Sequence, residues 1–208
     1  VNPLLNPLPL PNFQAIQAEH VGPAMEVVLA EVGEAIDRLE AQATAGADLD
    51  ALNGALERLV DRLQTTWGVV GHLLGVRNSD PLREAHQAVQ PKIVALSMRI
   101  AQSRPLYDAL AALDLTALTP SEQRLVSSHL RDAAHSGVAL EGEAKARFNA
   151  IAMRLAKLST TFSNHVLDAT KAWSLTLRTV EEVTGLPASL LAQAAQAART
   201  AGEEDATP

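Results

Sequence analysis

EHVGPAMEVVLAEVGEAIDRLEAQATAGADLDALNGALERLVDRLQTTWGVV, residues 19–70, decides the fold. In its first half Val21, Ala24, Val28, Val32, Ala35, Ile36 and Leu39 return every three or four residues, the spacing of one buried helix face. Gly46 interrupts the pattern, and Asp48 is placed to cap a second helix. The stripe of that helix runs through Leu49, Leu52, Leu56, Leu59, Val60, Leu63, Trp67 and Val70. Two amphipathic helices on so short a link predict a helical hairpin.

Upstream, prolines at positions 3, 7, 9 and 11 remove backbone donors and keep the preceding residues extended, so an arm is expected. Its Leu4, Leu5, Leu8 and Leu10, with Phe13, are expected to cover part of the body, because a free arm is rarely so apolar. Downstream, Gly71 and Gly75 are expected to loosen the second helix over residues 71–78. Asp80-Pro81 reads as a cap with proline in the first helical position, opening a third helix to about Ser103 on Leu82, Val89, Ile93, Leu96 and Ile100. Arg104-Pro105 breaks it, and a short helix over residues 106–113 comes next.

Thr119-Pro120-Ser121-Glu122 is the clearest start signal, since the threonine oxygen can accept from the Glu122 N–H while the glutamate reaches back. That helix should run to about His135. After Ser136-Gly137 the longest stripe passes through Ala144, Phe148, Ile151, Leu155, Leu158, Phe162, Val166, Ala169 and Trp173. Residues 174–178 alternate Thr and Leu types and suggest a short strand, and Leu186-Pro187 opens a final Ala-rich helix to about Ala201. No fixed-period repeat is present. The expectation is an all-α, mostly antiparallel helical array of about six or seven helices, one of them long, behind a proline-rich arm.

The 208 residues suffice for one good core, and 47% hydrophobic with only 3% aromatic residues implies that Ala and Leu fill it. A net charge of -7 leaves no positive field for a phosphate backbone, which argues against nucleic acid. The absence of cysteine removes disulfides, thiolate zinc sites and a cysteine nucleophile. No apolar run reaches the roughly 18–20 residues that span a bilayer, and no basic stretch followed by an apolar one opens the chain. No membrane partner and a cytoplasmic location are therefore expected. Val1 in place of methionine and the polar run over residues 201–208 suit boundaries within a longer chain.

A zinc peptidase site of the His-Glu-x-x-His kind needs two imidazoles one helical turn apart and a glutamate to activate the metal-bound water. That string is absent. Of the six histidines, His20, His72, His86, His129, His135 and His165, no two stand three or four apart. His129 and His135 fall on different faces of one helix, and each histidine is expected to be satisfied by an ordinary neighbour. No Gly-x-Ser-x-Gly elbow, Ser-x-x-Lys or phosphate loop occurs. Gly68, Gly71 and Gly75 suggest close helix packing instead. Glu31 with Glu34, and Glu141 with Glu143, are expected to be solvated, and Trp67, Phe148, Phe162 and Trp173 to pack in the core. No catalytic, cofactor-binding or metal residue is assigned.

Three segments carry a resemblance that this chemistry does not supply. Asn2-Pro3-Leu4-Leu5, Leu10-Pro11-Asn12-Phe13, Ile16, Glu19-His20-Val21 and Pro23-Ala24 resemble the opening of bacterial oligopeptidase A, although Gln17-Ala18 replaces the usual proline before the glutamate. His72-Leu73, Val76-Arg77-Asn78-Ser79 and Leu82-Arg83-Glu84-Ala85 resemble the loop and third helix start of the same family. Leu130-Arg131-Asp132, Ser136-Gly137, Phe148, Ile151, Arg154-Leu155 and Phe162-Ser163-Asn164-His165-Val166-Leu167-Asp168-Ala169-Thr170 with Trp173 resemble its long helix.

The resemblance, to the thimet oligopeptidase and oligopeptidase A family, implies a clam-shell zinc peptidase of short peptides. Its helical N-terminal region walls one side of the substrate channel and excludes folded proteins. Zinc is then expected in the full-length parent and no cofactor in this chain, which alone would not be an enzyme. The implied organisation is an extended arm over residues 1–18, a channel-wall domain over 19–178, and an Ala-rich helix and tail over 179–208 leading toward a catalytic domain. That catalytic domain and short peptides are the expected partners, with self-association of the isolated piece. The alternative is a stand-alone helical binding or scaffold module without peptidase activity.

Overall fold

A computed structural model describes residues 2–6 and 10–208, and among these every regular element is helical. In chain order they are α1 (Val21–Thr44), α2 (Leu49–Val76), α3 (Asp80–Ala101), α4 (Arg104–Ala111), α5 (Pro120–His135), α6 (Gly142–Ala172), α7 (Val180–Val183) and α8 (Ala188–Thr200). Short 3-10 turns lie at Ala18–His20 and Leu115–Ala117. The all-α array read from the periodicity is the fold. The chain divides within α6 into two compact units, Val1–Leu158 and Ser159–Pro208.

In the first unit α1 is the central element, with α2, α3 and α4 all packed on it. Val21, Met25, Val28, Val32, Ile36 and Leu39 are buried along its length, the stripe seen in the sequence. Burial of each such side chain contributes on the order of 1.5–3 kcal/mol. The hairpin link closes as expected: Gly46 takes a φ of +86°, and the Asp48 carboxylate accepts from Ala51 N at 2.9 Å. The Thr119 box also forms, with Thr119 N donating to Glu122 Oε2 at 2.7 Å and Thr119 Oγ1 accepting from Glu122 N at 3.4 Å. The Thr119 hydroxyl also lies 2.7 Å from Glu122 Oε2, and the bonds to the carboxylate from this hydroxyl and from Thr119 N hold the Glu122 pKa below the ordinary value.

The arm is only partly covered. Leu4 is sealed in the core, and the Asn2 amide donates to His20 O at 2.8 Å. Arg77 Nη1 donates to Phe13 O at 3.0 Å, while Leu10 stands 81% exposed. The expectation for Leu8, Pro7 and Pro9 lies outside the described residues.

Several local expectations are corrected. The glycines do not loosen α2, which runs unbroken to Val76 because Val69, Val70 and Leu73 are buried near its end. Nor do Gly68, Gly71 and Gly75 mark close packing, since a Cβ built on any of them meets nothing within 4 Å. The cap of α3 is Ser79, whose Oγ accepts from Leu82 N at 3.4 Å, so Asp80 is already helical and proline comes second. Arg104 and Pro105 open α4 and do not precede it, since a proline is tolerated in a first turn. Residues 174–178 form no strand and take no regular structure. They lead into α7, whose Thr179/Glu182 capping box the sequence reading missed.

At the end of α3, Gln102 is buried and its amide joins three elements. Gln102 Nε2 donates to Ser136 O at 2.8 Å and to Asn149 Oδ1 of α6 at 2.9 Å. Beside it, Ser103 Oγ donates to Glu40 Oε1 at 2.8 Å, and Arg99 binds Asp37 and Glu40, tying α3 to α1. At the end of α5, Gly137 adopts a φ of +83°. Val138 N bonds Ala133 O at 3.0 Å and Gly137 N bonds Ala134 O at 3.1 Å, the paired bonds of a Schellman stop.

The second unit contains the end of α6, α7 and α8, and Ala195 is its one buried residue among those described. Phe162 is 69% and Trp173 72% exposed, contrary to the core positions expected for them. Helical periodicity finds an apolar face without showing whether its cover lies in the same chain. Trp67 and Phe148 are half-buried, as packing residues should be.

Candidate functional site

Within the first unit a groove of about 870 Å³ opens among the described residues, a size typical of ligand sites. Its apolar lining comes from α2 (Leu56, Val60, Leu63), the end of α3 (Ile100, Ala101), α4 (Leu106, Tyr107, Leu110) and α5 (Leu130, Ala133). Packing of α4 on α1 and α5, and of α2 on α1, holds these residues around the groove. His129 Nε2 of α5 and Asn53 Oδ1 of α2 lie 3.2 Å apart and bridge the two walls.

The rim is charged. Glu57 and Asp61 stand one turn apart on α2, and Asp132 faces from α5. Asp132 is paired with Arg131 at 3.2 Å. Glu57 accepts from the Asn53 amide at 2.9 Å and Asp61 from Thr65 Oγ1 at 3.3 Å, both neutral donors, and neither carboxylate forms an ion pair among the described residues. Arg58 is the cation of the lining, and its guanidinium lies back along α2, where a Cβ on Gly54 would come within 3.3 Å of Nη1. Arg104, held to Asp108 at 2.8 Å, lies 5.6 Å from the Tyr107 ring centroid.

The histidines are dispersed. His20 Nδ1 accepts from Gln17 N at 3.0 Å; His72 meets the Phe13 ring at 5.4 Å; His135 and His165 are exposed. His86 is buried and stacked on Trp67 with ring centroids 4.5 Å apart. Its Nδ1 has no hydrogen-bond partner, and burial lowers its pKa from 6.5, favouring the neutral ring. Among the described residues no three His, Asp or Glu side chains converge where a metal could sit, so the residues present do not fit zinc. Glu31 accepts from Arg62 Nε at 2.8 Å and Glu34 pairs with Arg38 at 3.6 Å, which are ordinary helix-surface roles. The groove escaped the sequence reading because four helices build it. The i, i+4 spacing of Glu57 and Asp61 on α2 is a signal that sequence reading passed over.

No helix among the described residues is long and apolar enough to cross a membrane. Residues 25–145 match the family model of the neurolysin/thimet oligopeptidase N-terminal domain. The chain is 38% identical over 210 residues to a probable cytosolic oligopeptidase A of Arabidopsis thaliana, covering 99% of this chain and 30% of that protein. An organellar (chloroplastic/mitochondrial) oligopeptidase A of the same plant is likewise 38% identical over 99% of this chain and 26% of its own length. Oligopeptidase A of Escherichia coli (strain K12) is 36% identical over 93% of this chain and 29% of its own length. The chain thus spans less than a third of the length of the curated relatives it matches. On the family match and these identities, the chain belongs to the neurolysin/thimet oligopeptidase family and corresponds to its N-terminal domain.

Proposed function

We propose that this chain is the non-catalytic N-terminal domain of a longer cytoplasmic zinc peptidase of short peptides. In it the helical unit forms one wall of the substrate channel and excludes folded proteins. The observation that carries the reading is the second unit, whose Phe162, Val166, Trp173, Leu175 and Val180 are exposed while Ala195 is its one buried residue among those described. A unit so poor in core needs a cover, and the catalytic domain of the same polypeptide supplies it. Zinc belongs to that domain, since no cluster among the described residues would hold it.

The test is to assay the purified 208-residue chain for zinc and for cleavage of a quenched fluorescent peptide, then to repeat the assay on the full-length protein. The reading expects neither property in the chain. In the full-length protein it expects both, with cleavage limited to short peptides. Zinc-dependent turnover by the pure chain, or full-length digestion of a folded protein, overturns it.

A further inference from the structure

The geometry points to a specific occupant for the groove between α2, α4 and α5: a short peptide that lays a bulky apolar side chain on its floor and sets a Lys or Arg side chain against Glu57 and Asp61. This rests on the peptidase reading above and assigns a binding preference to residues that the comparisons leave without a role. Two features act together. The floor of Val60, Leu63, Leu106, Tyr107 and Leu130 is apolar and concave, which suits one large side chain and disfavours a polar one. The α2 rim bears two carboxylates whose hydrogen-bond donors are neutral, so an incoming cation meets two acids without an ion-pair partner among the described residues. Arg58 lines the same edge, with Nη1 over Gly54, and forms no ion pair with either acid among the described residues. Charge at a rim contributes selectivity more than affinity, and salt weakens it.

The experiment measures fluorescence polarisation of the 208-residue chain with a fluorescein-labelled hexapeptide carrying one Phe between two Arg. Its counterpart carries Glu in place of both Arg. The basic peptide should bind about five- to tenfold more tightly at low ionic strength, as expected for two rim pairs, and the difference should shrink as salt is added. Glu57→Gln with Asp61→Asn should remove the preference while leaving a residual affinity common to both peptides. Tyr107→Ala should weaken both peptides equally. Equal binding of the two peptides, binding of neither, or a preference untouched by the double substitution overturns the assignment. So does a dimer in sedimentation that persists in Phe162→Ser with Trp173→Ser and is dissociated by Tyr107→Ala. The zinc and cleavage assays do not depend on these residues, so loss of the groove assignment leaves the peptidase reading standing.

Discussion

Replacing glycine by alanine at two positions should have opposite effects, and the contrast tests the backbone argument directly. Gly137 stops α5 at a φ of +83°, where an L residue costs about 1–2 kcal/mol. A Cβ there would sit 2.9 Å from Leu140 Cδ1, forcing that side chain off its rotamer for about another 0.5–1.5 kcal/mol. Stiffening the unfolded chain returns about 0.4–1 kcal/mol. Gly137→Ala should therefore destabilise by about 2 kcal/mol, a fall in Tm of about 4–8 °C for a chain of this size. Gly71 lies inside α2 with open space around it, so Gly71→Ala should stabilise by about 0.5–1 kcal/mol. Urea unfolding followed by circular dichroism at 222 nm measures both as midpoint shifts at constant m. A neutral or stabilising Gly137→Ala would refute the reasoning.

The buried His86 makes stability depend on pH in one direction. Its pKa is lowered in the fold, so the unfolded chain binds more protons below 6.5. Stability should be fully present above that pH, decline as pH falls by at most about 1.4 kcal/mol per unit, and level off below the folded pKa. His86→Phe keeps a ring on Trp67 and should flatten the profile; an unchanged profile would count against it. Thr119→Ala removes the α5 box and should cost about 1 kcal/mol, read from the same urea curves. Phe162→Ser with Trp173→Ser should shift sedimentation of the chain toward monomer, because both side chains are exposed without cover.

Much of the first unit is legible because each element there is read locally. The Val21 to Leu39 stripe and the Asp48 and Thr119 caps act within one or two turns, and all form where the sequence places them. Thr179/Glu182 carries the same local signal, masked by a neighbouring Thr and Leu alternation that suggests a strand and forms none. The illegible part depends on distant chain. The stripe through Phe162 and Trp173 looks like a core face by spacing, yet burial needs an opposing surface that spacing does not describe. Gly68, Gly71 and Gly75 pose the same problem, since small residues allow close approach without requiring it. The groove is hidden for a third reason: Leu56, Ile100, Tyr107 and Leu130 become neighbours only after four helices have been placed.

The Gln102 junction has a kinetic consequence. Its two acceptors lie 34 and 47 residues further along the chain, so one bond waits for the end of α5 and the other for α6 to reach α3. Contacts between such distant partners are expected to form after a nucleus on the α1–α2 hairpin. Gln102→Ala should accordingly hasten unfolding while leaving the refolding rate nearly unchanged in stopped-flow chevrons. The amide acts as a late latch on an assembly already formed, setting how long the native arrangement persists more than how quickly it is reached.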